Sequence, residues 1–198
     1  MRPVLIGLSL VALAYGHTLA PDWPSTKIEK KLYAKNDFRG KTAPKIVAEQ
    51  WLTGKEPVTK DKVVIVDFWA TWCPPCRATI PDLNKIAAKF KDDVVVIGIS
   101  GEKPEVVQEF MKKTEIKYNV GIDTKNKNSG ELGVEGIPHV MVISADHIVR
   151  WQGFPLDDKD PLTEDVVAKI VAASKAAQPV VTTKDSATVG TSKAGGIR

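Results

Sequence analysis

Two cysteines, Cys73 and Cys76, stand two residues apart in Trp72-Cys73-Pro74-Pro75-Cys76, and the chain holds no others. Thiols at that spacing can close a small disulfide with each other and reopen it against another disulfide. Ahead of them runs Val63-Val64-Ile65-Val66-Asp67-Phe68-Trp69, and behind them an amphipathic segment. The pair therefore falls where a strand turns into a helix N-terminus. A thiolate there faces free backbone N–H groups and the positive end of the helix dipole, which lower its pKa and make it reactive near neutral pH. Cys73, at the exposed tip, is the expected nucleophile, and Cys76, shielded one turn inside the helix, the expected resolving thiol. The alternative is a purely structural bridge, but closing so small a loop gains little chain entropy. Zinc would need four ligands, and beyond the N-terminal leader only His139 and His147 remain, so no metal is expected.

Asp67 is an acid inside an otherwise apolar strand. An unpaired buried carboxylate is expensive to ionise, and its pKa should rise toward a value useful for proton transfer. The other reading is an acid at a bend that reaches solvent.

The elements that must hold these residues alternate after residue 60. Val63–Trp69 reads as a central strand buried on both faces. From Cys76 to Phe90, Ile80, Leu83, Ile86, Ala87 and Phe90 recur at helical spacing. Val94–Ile99 is a second buried strand, and Pro104 opens a helix through Glu105–Lys113. Tyr118–Ile122 is a short strand, and Val140–Ile143 with Ile148–Gln152 a hairpin around Ser144-Ala145-Asp146. Asp160 is expected to cap a last helix, with Pro161 at its first position, running to about Ala176. The order implies a three-layer α/β domain over 61–176. Residues 21–60 form an N-terminal extension packed on it, with Lys31–Ala34 and Lys45–Val47 as candidate short strands and Trp51-Leu52-Thr53-Gly54 as a turn.

The ends differ in kind. Met1-Arg2 followed by the apolar run Val4–Ala14 and the small-residue patterns Ala14-Tyr15-Gly16 and Thr18-Leu19-Ala20 has the layout of a secretory signal peptide over 1–20. An uncleaved anchor from Pro3 to Leu19 is the rival reading. Either places the folded domain outside the cytoplasm, periplasmic or secreted. Residues 177–198, rich in Ala, Thr, Ser, Lys and Gly without apolar periodicity, read as a disordered tail. A net charge of +4 with interspersed signs leaves no footprint for nucleic acid.

Taken together, Val66-Asp67-Phe68-Trp69-Ala70-Thr71-Trp72-Cys73-Pro74-Pro75-Cys76, Pro81 five residues on, and Gly136-Ile137-Pro138 before an apolar strand resemble the thioredoxins. Gly40-Lys41-Thr42-Ala43-Pro44 and the Lys103–Ile122 insert resemble their extracytoplasmic, disulfide-reducing branch. The resemblance covers about residues 40–175. It implies a thioredoxin fold, a central mixed β-sheet flanked by helices. It also implies Asp67 as proton shuttle for Cys76 and a cis Pro138 that lets Ile137 present its backbone to an extended substrate beside Cys73. Trp72, Pro74 and Pro75 complete the substrate surface. Some relatives serving cytochrome c maturation carry Glu three residues after the second cysteine. Here that position is Thr79, so the resemblance extends to general disulfide reduction or exchange.

The function so read is an exported thiol-disulfide oxidoreductase, a monomer without dissociable cofactor, acting on disulfide-bonded proteins and recharged by a membrane-embedded dithiol donor. Two other classes stay open. One is a peroxide-reducing redoxin, although Trp69–Cys73 does not supply the Pro-x-x-x-Thr-x-x-Cys pattern. The other is a binding module holding a partner or Cu(I) on its two thiols.

Overall fold

A computed structural model of the chain describes Trp23 and residues 28–178. The expected leader over 1–20 and the tail from 179 onward lie outside the described residues. No helix among those described is long and apolar enough to cross a membrane.

Seven consecutive positions, apolar or aromatic except for Asp67, make β2, Val63–Trp69, and all seven are buried. A strand can be buried throughout only when both neighbours and both faces are covered. β2 pairs in parallel with β3, Val94–Ser100, and antiparallel with β5, His139–Ile143. The sheet is completed by β1, Gln50–Trp51, β4, Asn119–Ile122, and β6, Val149–Gly153, in the order β1-β4-β3-β2-β5-β6.

Alternation along β2 sends Val63, Ile65, Asp67 and Trp69 to one face and Val64, Val66 and Phe68 to the other. The first face packs under the helices. α1, Pro74–Lys89, contributes Ile80, Leu83 and Ile86; α2, Pro104–Met111, contributes Val107; α4, Glu164–Ala177, contributes Val167, Ile170 and Val171. Pro81 lies inside α1, where its ring removes one ladder hydrogen bond. The second face is covered by α3, Lys127–Leu132, and by the N-terminal segment, through Leu132, Phe38, Ala43, Ile46 and Ala48.

Three expectations need correction, and one element, α3, is added to them. The last helix is capped by Thr163, whose hydroxyl accepts from Val166 N–H at 3.3 Å, and not by Asp160. Asp160 is instead drawn into a 2.6 Å ion pair with Lys30. That helix also runs through Ala177, one residue into the stretch read as a tail. Lys31–Ala34 and Lys45–Val47 are not strands; the N-terminal segment makes single bridges, Ala34 to Val134 in the turn before β5 and Arg39 and Thr42 to Val149 and Ile148 where β6 begins, and the strand there is Gln50–Trp51. The short α3 had no apolar stripe to announce it. Its first turn is held by Asp123, whose carboxylate accepts from Lys127 N–H and Asn128 N–H.

Because Glu164 and Asp165 already favour the first turn of α4, the Thr163 cap is an isolated contribution. Thr163→Ala should lower stability by about 1 kcal/mol in denaturant unfolding; an unchanged midpoint would put the helix start elsewhere.

Candidate active site

β2 ends at Trp69, and a four-residue turn leads into α1, with Cys73 as its N-cap. Cys73 N–H donates to Ala70 O at 3.2 Å, closing that turn. Thr71 is gripped from the next crossover: its N–H and hydroxyl both donate to the Glu102 carboxylate at 2.7 Å, and Ser100 hydroxyl donates to the same group at 3.1 Å. Nothing local in the sequence singles out Glu102; its role comes from β3 lying beside β2. Pro74 and Pro75 occupy the first turn of the helix, where two of the N–H groups that would face the cap are missing. One amide remains aimed at the sulfur: Cys76 N–H donates to Cys73 Sγ at 3.2 Å.

Cys73 and Cys76 are joined in a disulfide. Cys76 is fully buried, and so is Cys73, with 2% of its surface exposed. That corrects the expected exposed tip: bonded to Cys76, the Cys73 sulfur is turned inward and lies 3.7 Å from Ile137 O. The exposed group at the tip is Trp72, at 69%. Thr79, at the departing position, donates its hydroxyl to Cys76 O at 2.7 Å within the helix.

The second half of the site comes from β5. The Ile137–Pro138 peptide is cis and immediately precedes that strand. Because Phe68 is opposite His139 in the β2–β5 pairing, the residues leading into β5 lie beside those leaving β2. Between the two turns opens a cavity of about 530 Å³, lined by Trp72, Ala70, Phe68, Ile137, Val134 and Glu102 among others. Trp72, Pro74, Pro75, Ile137, Pro138 and both cysteines are thus gathered at one end of the central strands.

Asp67 lies two residues before Trp69, on the sheet face under α1. It is fully buried, and neither carboxylate oxygen has a hydrogen-bond partner among the described residues. Burial pushes its pKa from 3.8 up to about 7. Directly opposite on β3 is Gly98, where a methyl group would come within 2.9 Å of Trp69 Nε1 and 3.1 Å of the Tyr118 ring. The ring positions of Trp69 and Tyr118 therefore depend on that glycine. Burial, then the neighbouring Asp67, raises the Tyr118 phenol well above its usual range. His139 belongs to the opposite face. It is buried and its Nδ1 contacts Leu32 O at 3.0 Å; burial holds it down to about 4.

The sequence has relatives and the fold has counterparts. Residues 20–152 match the model of the AhpC/TSA family. The thiol-disulfide oxidoreductase ResA of Bacillus cereus is 35% identical over 54% of this chain and 64% of its own length. The chain thus spans just under two thirds of that relative. The thiol:disulfide interchange protein HelX of Rhodobacter capsulatus is 33% identical over 66% of this chain and 73% of HelX. Among solved structures, the thioredoxin domain of a thiol-disulfide oxidoreductase from Bacteroides vulgatus superposes with a TM-score of 0.58 at 24% identity. It covers 67% of this chain and 96% of that domain, and shares the fold.

Asp67 has a signature in stability. Its folded pKa lies above its unfolded value, so its favourable contribution is complete below about pH 4 and is lost as pH rises through about 7. With the disulfide closed, Asp67→Asn should be more stable than the parent by about 2–4 kcal/mol at pH 8, with the gap vanishing at pH 4, in urea titrations. His139 has the opposite sign, losing stability as pH falls from 6.5 through about 4, but both proteins carry it and it cancels. A pH-independent gap would refute the burial of an ionisable Asp67. The matched residues, the shared fold and these relatives place the chain in the AhpC/TSA family, among thioredoxin-like proteins.

Proposed function

We propose that this chain is an exported thiol-disulfide oxidoreductase that reduces or exchanges disulfides in other proteins. The observation that carries the reading is a disulfide at a helix N-cap with a single aimed amide, above a buried acid whose pKa is near 7. In the reduced form the Cys73 thiolate attacks a substrate sulfur, forming a mixed disulfide and releasing one substrate thiolate. Cys76 then attacks Cys73 Sγ, the second substrate thiolate leaves, and the Cys73–Cys76 bond closes. Two electrons pass from the dithiol to the substrate. Asp67 accepts the Cys76 proton, a task suited to a carboxyl that is half ionised near pH 7. The substrate lies extended along Ile137-Pro138, with Trp72 against it; backbone pairing of this kind supports broad recognition.

Two features define the couple and its supply. With Pro74 and Pro75 lacking N–H groups, a Cys73 thiolate is less stabilised, which disfavours the dithiol and makes the couple more reducing. The N-terminal leader supports export, and in an oxidising compartment the dithiol needs recharging by a membrane-embedded dithiol donor. Thr79 supports general disulfide exchange rather than a cytochrome-specific role.

Cys76→Ser removes the resolving thiol and should trap mixed disulfides between Cys73 and captured proteins, seen on non-reducing gels and lost on adding dithiothreitol. Recovery of no adduct, together with peroxide consumption by the parent or copper retained on purification, would favour one of the other two classes. Equilibration with glutathione should place the potential nearer ~ −270 mV than ~ −120 mV. Asp67→Asn should slow the resolution step by about 10²-fold at pH 7 and remove its dependence on pH around 7; an unaltered pH profile would assign the proton elsewhere.

A further inference from the structure

The turn that presents Ile137 and Pro138 is held less by its own strand than by a segment about a hundred residues earlier in the chain. Tyr33 O accepts from both Glu135 N–H, at 2.8 Å, and Gly136 N–H, at 3.2 Å. Lys35 N–H donates to Gly133 O and Asn36 N–H to Leu132 O, at 2.9 and 3.2 Å, and Ala34 bridges Val134. Tyr33 adopts a left-handed backbone, φ 56°, unusual for a residue with a side chain. Its Cβ leaves no slack at Gly136, where an added methyl would meet it at 3.3 Å. So residues 32–36 run along the 132–136 turn as a strap, and a left-handed residue is used where the strap passes the site.

The strap is fastened by two buried polar side chains that the sulfur chemistry does not use. Leu32 O can only accept, so His139 Nδ1 carries the ring proton and donates to it at 3.0 Å. His139 Nε2 is then bare and accepts from Gln152 Nε2 at 3.1 Å. The same Gln152 amide nitrogen donates to Asn36 O at 2.9 Å, and Gln152 Oε1 accepts from Phe38 N–H at 2.8 Å. Every donor meets an acceptor, and His139 and Gln152 are both fully buried. Changing either side chain leaves the other, fully buried, short of a partner and frees strap backbone at Leu32 or at Asn36 and Phe38, and an unmade buried hydrogen bond is costly. His139 is also the residue after Pro138, so the network reaches the turn from both sides.

We propose that the segment 32–38, fastened by the His139–Gln152 pair, is the positioning element of the substrate-binding turn: it fixes Glu135–Pro138 in the shape that receives an extended protein segment, and so governs affinity for protein disulfides without entering the sulfur chemistry. This rests on the oxidoreductase reading above. His139 and Gln152 are positioning residues, acting through the strap.

The test is Gln152→Leu, close in volume and unable to hydrogen-bond, assayed as the reduced full chain against insulin and against oxidised β-mercaptoethanol. The expected result is a KM for insulin raised about fivefold or more, with kcat and the small-disulfide rate within about twofold of the parent. An unchanged KM overturns the proposal, and so does a parallel fall in both reactions, which would mean general damage. Hydrogen exchange on the unmutated protein decides the matter even if the variant fails to fold. Glu135 and Gly136 amides should exchange with one common opening rate shared by Lys35, Asn36 and Phe38, and independent opening of the two groups overturns the proposal. Failure of the parent to reduce insulin at all would sink the oxidoreductase reading and this inference with it, whereas an active parent with an unmoved KM sinks this inference alone.

Discussion

β2 is hydrogen-bonded to β3 on one side and to β5 on the other, and all its residues from Val63 to Trp69 are buried. A strand held in this way has no freedom to slide, since a one-residue slip would exchange its two faces. The site inherits that rigidity. The Cys73 turn leaves the end of β2, and the Ile137-Pro138 turn enters the start of β5. Because Phe68 is fixed opposite His139, the two turns are brought side by side. The 3.7 Å between Cys73 Sγ and Ile137 O is thus a consequence of strand register. The Glu102 carboxylate adds a third anchor, tying Thr71 to the segment just after β3, which ends beside Trp69.

The same rigidity explains how an unpartnered acid can survive in β2. Raising a carboxyl pKa from 3.8 to about 7 corresponds to roughly 4 kcal/mol when the group is ionised. Full burial of an aliphatic side chain contributes roughly 1.5–3 kcal/mol, so neighbours such as Ile65 and Val66, both fully buried, suffice to offset it. The exposed ion pairs, such as Lys112–Glu109, are too solvated to contribute much. Stability therefore comes from apolar packing on both sides of the sheet, and ionised Asp67 opposes it.

Residues whose position follows from local pattern were legible in the sequence. The buried run of β2, the stripe of α1 and the hairpin of β5 and β6 all announced themselves by period and by turn residues. Cys73, Cys76 and Asp67 were legible for the same reason, since each sits at a definable place on those elements. What escaped was set by tertiary contact. α3 is six residues long, and its first amides are held by the Asp123 carboxylate. Asp160 resembled a helix cap but was claimed by Lys30 from the opposite end of the chain. Glu102, His139 and Gln152 have meaning only once distant segments meet. The exposed tip assigned to Cys73 is not seen in the closed disulfide, where the residue is buried and its sulfur lies against Ile137 O.

The two faces of the sheet are covered by different kinds of structure. Helices α1, α2 and α4 pack on the face bearing Asp67 and Trp69, and Cys76 belongs to that same core. The disulfide and the buried acid therefore share one layer, sealed by regular secondary structure. The other face is covered by α3 and an irregular segment that has few strand contacts of its own. Such a cover gains its order from specific polar ties, which is why a neutral histidine and a glutamine are buried there. The layers converge at the ends of β2 and β5, where a sulfur from one meets a backbone carbonyl shaped by the other. The site thus joins a helix-sealed layer that holds both sulfurs to a turn whose backbone is bonded to the irregular cover.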